Sequence, residues 1–181
     1  MLSFLPTVER LEVRQDRSLL LADAGTRPGH RVADGIWDRL AERAGDGDAT
    51  DLLRELTPGQ RALCVLVVAE RQVLNGGFGQ LLENSTARFA PDWVPAAEAI
   101  GAEDYRRVFA GVVDLLPSDD LPESRDAREA VLEEHFGDRE EERLGELEDE
   151  FYGLLEAPES SLEALIWTYV EAHPEEFFAE A

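Results

Sequence analysis

The chain has 181 residues, 44 % of them hydrophobic, which suits one domain over residues 1–181 with a sizeable core. Its 40 acidic residues outnumber 17 basic ones, all arginine, for a net charge of −23; this excludes nucleic acid and anionic membrane surfaces as direct partners, because both require a basic face. No apolar run reaches the ~20 residues of a membrane span. MLSFLPTVERLE at the N-terminus lacks the basic start and long apolar core of a signal peptide, and a single cysteine allows no internal disulfide, so the cytoplasm is the expected compartment.

Residues 1–50 carry the weakest signals. RLEVRQDRSLLLA (residues 10–22) alternates and predicts a small β-hairpin turning near Gln15 and Asp16. DAGTRPGHR (residues 23–31) reads as a loop from its glycines and proline. A helix is expected from Asp34, with Ile36, Trp37, Leu40 and Ala44 on one face, and GDGDAT ends it. A short helical turn follows over residues 51–56. Thr57 is then a good N-cap and Pro58 fits the first position of a long helix over 58–74. Leu63, Val65, Leu66, Val67, Val68, Val73 and Leu74 cover almost the whole circumference of that helix, which marks it as the central, buried one.

LNGGFGQLLENS (residues 74–85) comes next. Asn75, Gly76 and Gly77 tolerate the left-handed backbone that ends a helix, and Phe78 to Glu83 reads as a second, short helix. The glycines therefore predict a sharp helix-to-helix corner. A phosphate loop would need a strand before them and a lysine after them, and neither is present. Gln80 and Asn84 are four apart and share a helix face. With Asn75 and Ser85 they read either as an amide network tying the two helices or as a small polar pocket for a ligand.

The remaining segments are helical. PDWVPAAEAIGA is stopped by Gly101, and EDYRRVFAGVVDLLP by Pro117. LPESRDAREAVLEEHFG runs from Pro122 to Gly137. RLGELEDEFYGLLE places Leu144, Leu147, Phe151, Leu154 and Leu155 on one stripe. SSLEALIWTYVEAHPEEFF has Ser160 or Ser161 as its cap, and Pro174 breaks it and opens a last short helix. With no alternating β-branched run after residue 30, the fold class is all-α, of about eight helices packed around residues 58–74.

Little in the chain resembles a catalytic or metal site. His30, His135 and His173 are far apart and match no paired-ligand spacing. GxSxG is absent, and Cys64 lies within an apolar run as a small buried hydrophobe. The reading is of a protein that is not an enzyme and holds no metal or cofactor.

Charge is distributed unevenly. Residues 1–113 hold 17 acids and 13 arginines, whereas residues 114–181 hold 23 acids and 4 arginines. GDREEERLGELEDE (residues 137–150) alone has eight acids and two arginines. Acids four apart on a helix lie ~6 Å apart along its axis, and DNA carries one charge per ~3.4 Å of each strand. Such a face can imitate roughly every second phosphate. The candidate partner-binding acids are Glu140, Glu141, Glu142, Glu146, Asp149 and Glu150. A solvated face that serves solubility is the plain alternative.

QRALCVLVVAERQVLNGGFGQLLENS (residues 60–85) resembles the DNA-mimic-protein C-terminal-domain family, with its NGGF-x-Q core and following asparagine. AAEAIGAEDYRRVF, LEDEFYGL and LEALIWTYVEAHPEEFF are similar to its later segments, so the likeness spans roughly residues 57–178 and leaves 1–50 unassigned. The resemblance implies an all-α fold. It also implies action on the DNA-binding surface of a transcription factor or another basic DNA-binding protein. An inhibitor of a basic nuclease, of the immunity or antitoxin kind, would follow the same charge logic. An extended acidic surface can also be built across a two-fold homodimer.

Overall fold

A computed structural model describes residues 14–23, 27–117 and 121–179. Among these residues the protein is all-α. Nine α-helices follow one another: α1 (Arg17–Asp23), α2 (Pro28–Ala44), α3 (Pro58–Glu83), α4 (Ala90–Ala99), α5 (Glu103–Asp114), α6 (Arg125–His135), α7 (Asp138–Glu156), α8 (Leu162–Ala172) and α9 (Pro174–Phe177). Short 3₁₀ helices over Ala49–Glu55 and Ser85–Phe89 flank α3.

The first half of α3 starts at a reciprocal cap: Thr57 Oγ1 accepts the Gln60 N–H, and Gln60 Oε1 accepts the Thr57 N–H. From Ala62 to Val67 every residue is buried, and α3 over its whole length packs against α2, α4, α6, α7 and α9. Leu74 is the exception to the expected apolar circumference. It is half exposed although its neighbour Val73 is fully buried, because it points to the solvent side of the helix.

Two expectations for the N-terminal region need correction. Of the hairpin expected over 10–22, residues 10–13 lie outside the described residues, and Arg17–Asp23 is helical rather than a second strand. Gln15 instead makes an isolated parallel bridge to Phe178. Its N–H donates to the Phe177 carbonyl at 2.8 Å, and its own carbonyl accepts the Ala179 N–H at 3.1 Å. The extended backbone at Gln15 thus pairs with a residue over 160 positions away, not with a local neighbour.

The second correction concerns Pro28 and Gly29, read as loop. They are the first turn of α2, six residues before the expected start. Pro28 suits that position because its missing N–H is not needed there. Gly29 permits close approach to α8: a Cβ at this position would stand 2.8 Å from Ile166 Cγ2. The Glu163 carboxylate on α8 accepts the N–H groups of Gly29 (2.7 Å) and His30 (2.9 Å), so a residue remote in sequence caps the helix.

Candidate functional site

The glycine pair interrupts α3. Gly76 (φ −172°, ψ 29°) and Gly77 (φ 73°, ψ −175°) are non-helical, and Gly77 occupies the left-handed half of φ space that a Cβ disfavours. Phe78 is thereby turned inward and is fully buried. Its ring packs edge-on to Phe151 of α7 (centroids 5.5 Å apart) and to Phe109 of α5 (6.4 Å). Tyr105 and Trp93 complete this aromatic cluster through Phe151 and Phe109.

A break in a helix frees backbone groups on both sides. Helix α7 satisfies one on each. Glu148 accepts the Phe78 N–H at 2.8 Å, at the start of the second half. Tyr152, one turn further along the same face of α7, donates its hydroxyl hydrogen to the Val73 carbonyl at 2.9 Å, at the end of the first half. A Cβ on Gly77 would collide with the Glu148 carboxylate. The glycine corner is thus a backbone notch that receives a carboxylate from the acidic helix.

The amides of the corner do something else. Gln80 Nε2 (3.2 Å) and Asn84 Nδ2 (2.7 Å) both donate to Gln72 Oε1, joining the two halves of α3 from the solvent side. Gln72 was not among the expected members. Asn75 and Ser85, which were, are exposed and take no part in this network.

Helix α7 is fixed to the core by the turns around Leu147 to Tyr152. Leu147 and Phe151 are buried, and Gly111 of α5 allows the approach of Leu147, whose Cδ2 would stand 2.8 Å from a Cβ there. The six candidate acids accordingly fall into two groups. Glu140 folds back to accept the Gly137 N–H at 3.1 Å, and this bond holds its pKa below the usual carboxylate range. Glu150 is paired with Arg107 of α5, and Glu146 with Arg143 at 2.7 Å on α7 itself. Glu141, Glu142 and Asp149 are exposed and, among the described residues, face no cationic partner.

Helix α6 extends the acidic surface with Glu133 and Glu134, both exposed. It is held beside the corner by Arg128, which is 3 % exposed. This guanidinium donates to the carbonyls of Glu83 (3.0 Å), Pro122 (2.7 Å) and Glu123 (2.5 Å). Burial lowers its pKa from the usual arginine value, the carbonyl dipoles standing in for a carboxylate.

A second constellation was hidden in the sequence. His30 of α2 and Glu70 of α3 are 3 % and 2 % exposed, and the imidazole lies between Glu70 on Nε2 and Glu163 of α8 on Nδ1. With a carboxylate at each nitrogen, the doubly protonated ring donates to both. Burial opposes the charge, but the hydrogen bonds to Glu163 and Glu70 outweigh it, and the His30 pKa is raised. Arg27 Nη2 lies 2.7 Å from Nε2, where no lone pair remains, and donates to Glu70 Oε1 at 3.1 Å. This cluster ties three helices together, with His30 and Glu70 buried at its centre and Arg27 exposed at its edge. Cys64 is also fully buried, and burial pushes its thiol pKa far up. Among the described residues no group of three His, Cys, Asp or Glu side chains is arranged to hold a metal ion, and no helix is long and apolar enough to cross a membrane.

No curated protein and no solved structure matches the chain. A family model described as DMP19-like protein matches residues 54–173. That stretch contains the broken helix α3, the aromatic cluster, and helices α6 and α7 with every candidate acid, and excludes Arg27 and His30. With the corner, the cluster around it and the acidic helices all inside the matched region, the chain belongs to the DMP19-like protein family.

Proposed function

We propose that helices α6 and α7 form a protein-binding face that occupies the DNA-binding surface of a basic protein. The DMP19-like family is one of DNA mimics, and the local geometry supports the same reading. The carrying observation is that Glu142 and Asp149 stand exposed and, among the described residues, without a cationic partner on a helix whose other side is locked to the core at Leu147, Glu148, Phe151 and Tyr152, with Glu141 exposed at the edge of that locked side. Glu142 and Asp149 lie ~10 Å apart along the axis, a separation that spans about three phosphates of one strand. Glu146 sits between them. Its pairing with exposed Arg143 is worth little in water and yields readily to a partner's arginine.

Association of this kind is steered by charge, fast and sensitive to salt. The target is a transcription factor or another DNA-binding protein with a cationic groove. The experiment is capture from native lysate on immobilised protein at about 0.1 M salt, where screening reaches only ~10 Å, followed by elution with duplex DNA. Release of a discrete basic protein by DNA, and its loss on the Glu141→Gln, Glu142→Gln, Asp149→Asn variant, is the expected result. Capture that DNA does not reverse would overturn the reading.

A further inference from the structure

The second half of α3, α6 and α7 enclose a cleft of about 460 Å³. Its floor is apolar. Leu82 and Leu132 are buried there, and Phe136 and Leu144 are half-buried against the core. Its rim is carboxylate: Glu83, Glu129, Glu133 and Glu141. Arg125 spans Glu83 (2.9 Å) and Glu129 (2.5 Å), so one edge already holds a guanidinium. Glu133 and Glu141 hold none among the described residues.

Gly79 completes the lining. Its backbone is helical, and a Cβ built on it meets nothing within 4 Å. Neither conformation nor packing calls for glycine, and alanine would favour the helix. A side chain longer than a methyl at this position would project over the mouth of the cleft.

We propose that the cleft receives one apolar side chain carried on an arginine-rich segment of the partner, so that the face recognises shape as well as charge. The proposal rests on the reading of α6 and α7 as a protein-binding face. The rim attracts guanidinium or ammonium groups, and the floor rewards an apolar side chain that water would otherwise leave unburied. The α6–α7 face of a second copy does not complement this rim, because it would set carboxylates against carboxylates. A purely polycationic segment would leave the floor wet.

The test uses two labelled synthetic helical peptides of equal charge. Both are arginine-rich; one carries a leucine at the centre of its basic face and the other a serine. Binding to the full chain is read by fluorescence anisotropy at about 0.1 M and 0.5 M salt. The leucine peptide is expected to bind about tenfold more tightly, and that ratio persists at the higher salt while both affinities fall. Gly79→Leu fills the mouth without meeting any neighbour within reach of its Cβ, and should bring the ratio to one with serine-peptide binding unchanged. Gly79→Ala adds a methyl alone, leaves the floor reachable and keeps a preference for leucine. Equal binding of the two peptides by the native chain overturns the cleft proposal and leaves the charged face standing. A preference that survives in Gly79→Leu also overturns it. Failure of both peptides to bind removes the charged face and the cleft together.

Discussion

Glu148 accepts the backbone N–H of Phe78 at 2.8 Å, and through this bond the acidic helix seats itself in the break of the central one. The NGGF stretch and the acidic stretch, joined here by residues 70 apart in sequence, are therefore two halves of one joint. Gly77→Ala is expected to damage both halves. It forces a left-handed φ on a residue with a Cβ and displaces the Glu148 carboxylate. A loss of about 2–3 kcal/mol follows from backbone strain and the lost charge-assisted bond. Urea unfolding monitored by circular dichroism measures it; a loss below about 0.5 kcal/mol would show that the notch is dispensable.

Tyr152→Phe removes only a hydroxyl and leaves the freed Val73 carbonyl without its donor. The expected loss is about 1 kcal/mol. Combined with Glu148→Ala, the two losses should couple by 0.5 kcal/mol or more, since both groups hold the same break. Strict additivity in the double-mutant cycle would mean that the two sides of the corner act independently.

The acids of α7 should separate by role. Replacing Glu141, Glu142 and Asp149 by amides is expected to leave stability within about 0.5 kcal/mol of the native value, or to raise it slightly by relieving like-charge repulsion. Glu140→Ala instead removes an N-terminal cap and should lower the melting temperature. Thermal melts of the two variants side by side decide the point. A melting temperature that falls in the triple variant and holds in Glu140→Ala would reverse the assignment.

The His30 cluster predicts a pH profile. The His30 pKa is raised in the folded state, so the stability it contributes is fully present below its unfolded value of 6.5 and is lost as pH rises through the folded value. For Glu163, burial pushes the carboxyl up, but hydrogen bonds from His30 and the N–H groups of Gly29 and His30 prevail and the pKa is lowered. Its contribution is present above the unfolded value of 4.5 and lost as pH falls through the folded one. Stability from the pair should be greatest between pH 4.5 and 6.5. The melting temperature of the native chain should decline from pH 6 toward pH 9, and the decline should flatten in His30→Gln; equal slopes in the two proteins would exclude the imidazolium as its source.

Much of the helical layout was legible because its signals are local. Thr57 and Pro58, Ser161, Gly101 and Pro174 each act within one turn, and each marks a helix end in the structure. What sequence could not show depends on distance. Glu163 caps α2 from more than 130 residues away, which is why Pro28 and Gly29 read as loop. Gln15 pairs with Phe178 rather than within a hairpin for the same reason. His30, Glu70 and Glu163 carry no shared spacing, so only packing brings them together. The acidic face was visible as composition, but its division into anchored and unpaired carboxylates was not. The N–H of Gly137 and Arg107 are what take Glu140 and Glu150 out of the unpaired set. Glu148 was passed over, because the glycine pair predicts a corner without saying which distant side chain fills it.

The anchoring of α7 has a consequence for how such a protein changes over generations. Glu148, Tyr152, Leu147 and Phe151 all point to one side of the helix and bind the rest of the fold. Glu142 and Asp149 lie away from that side, so the outer surface can drift toward a new target while the inner side keeps the molecule folded. Relatives that share the corner could then differ wholly in what they bind.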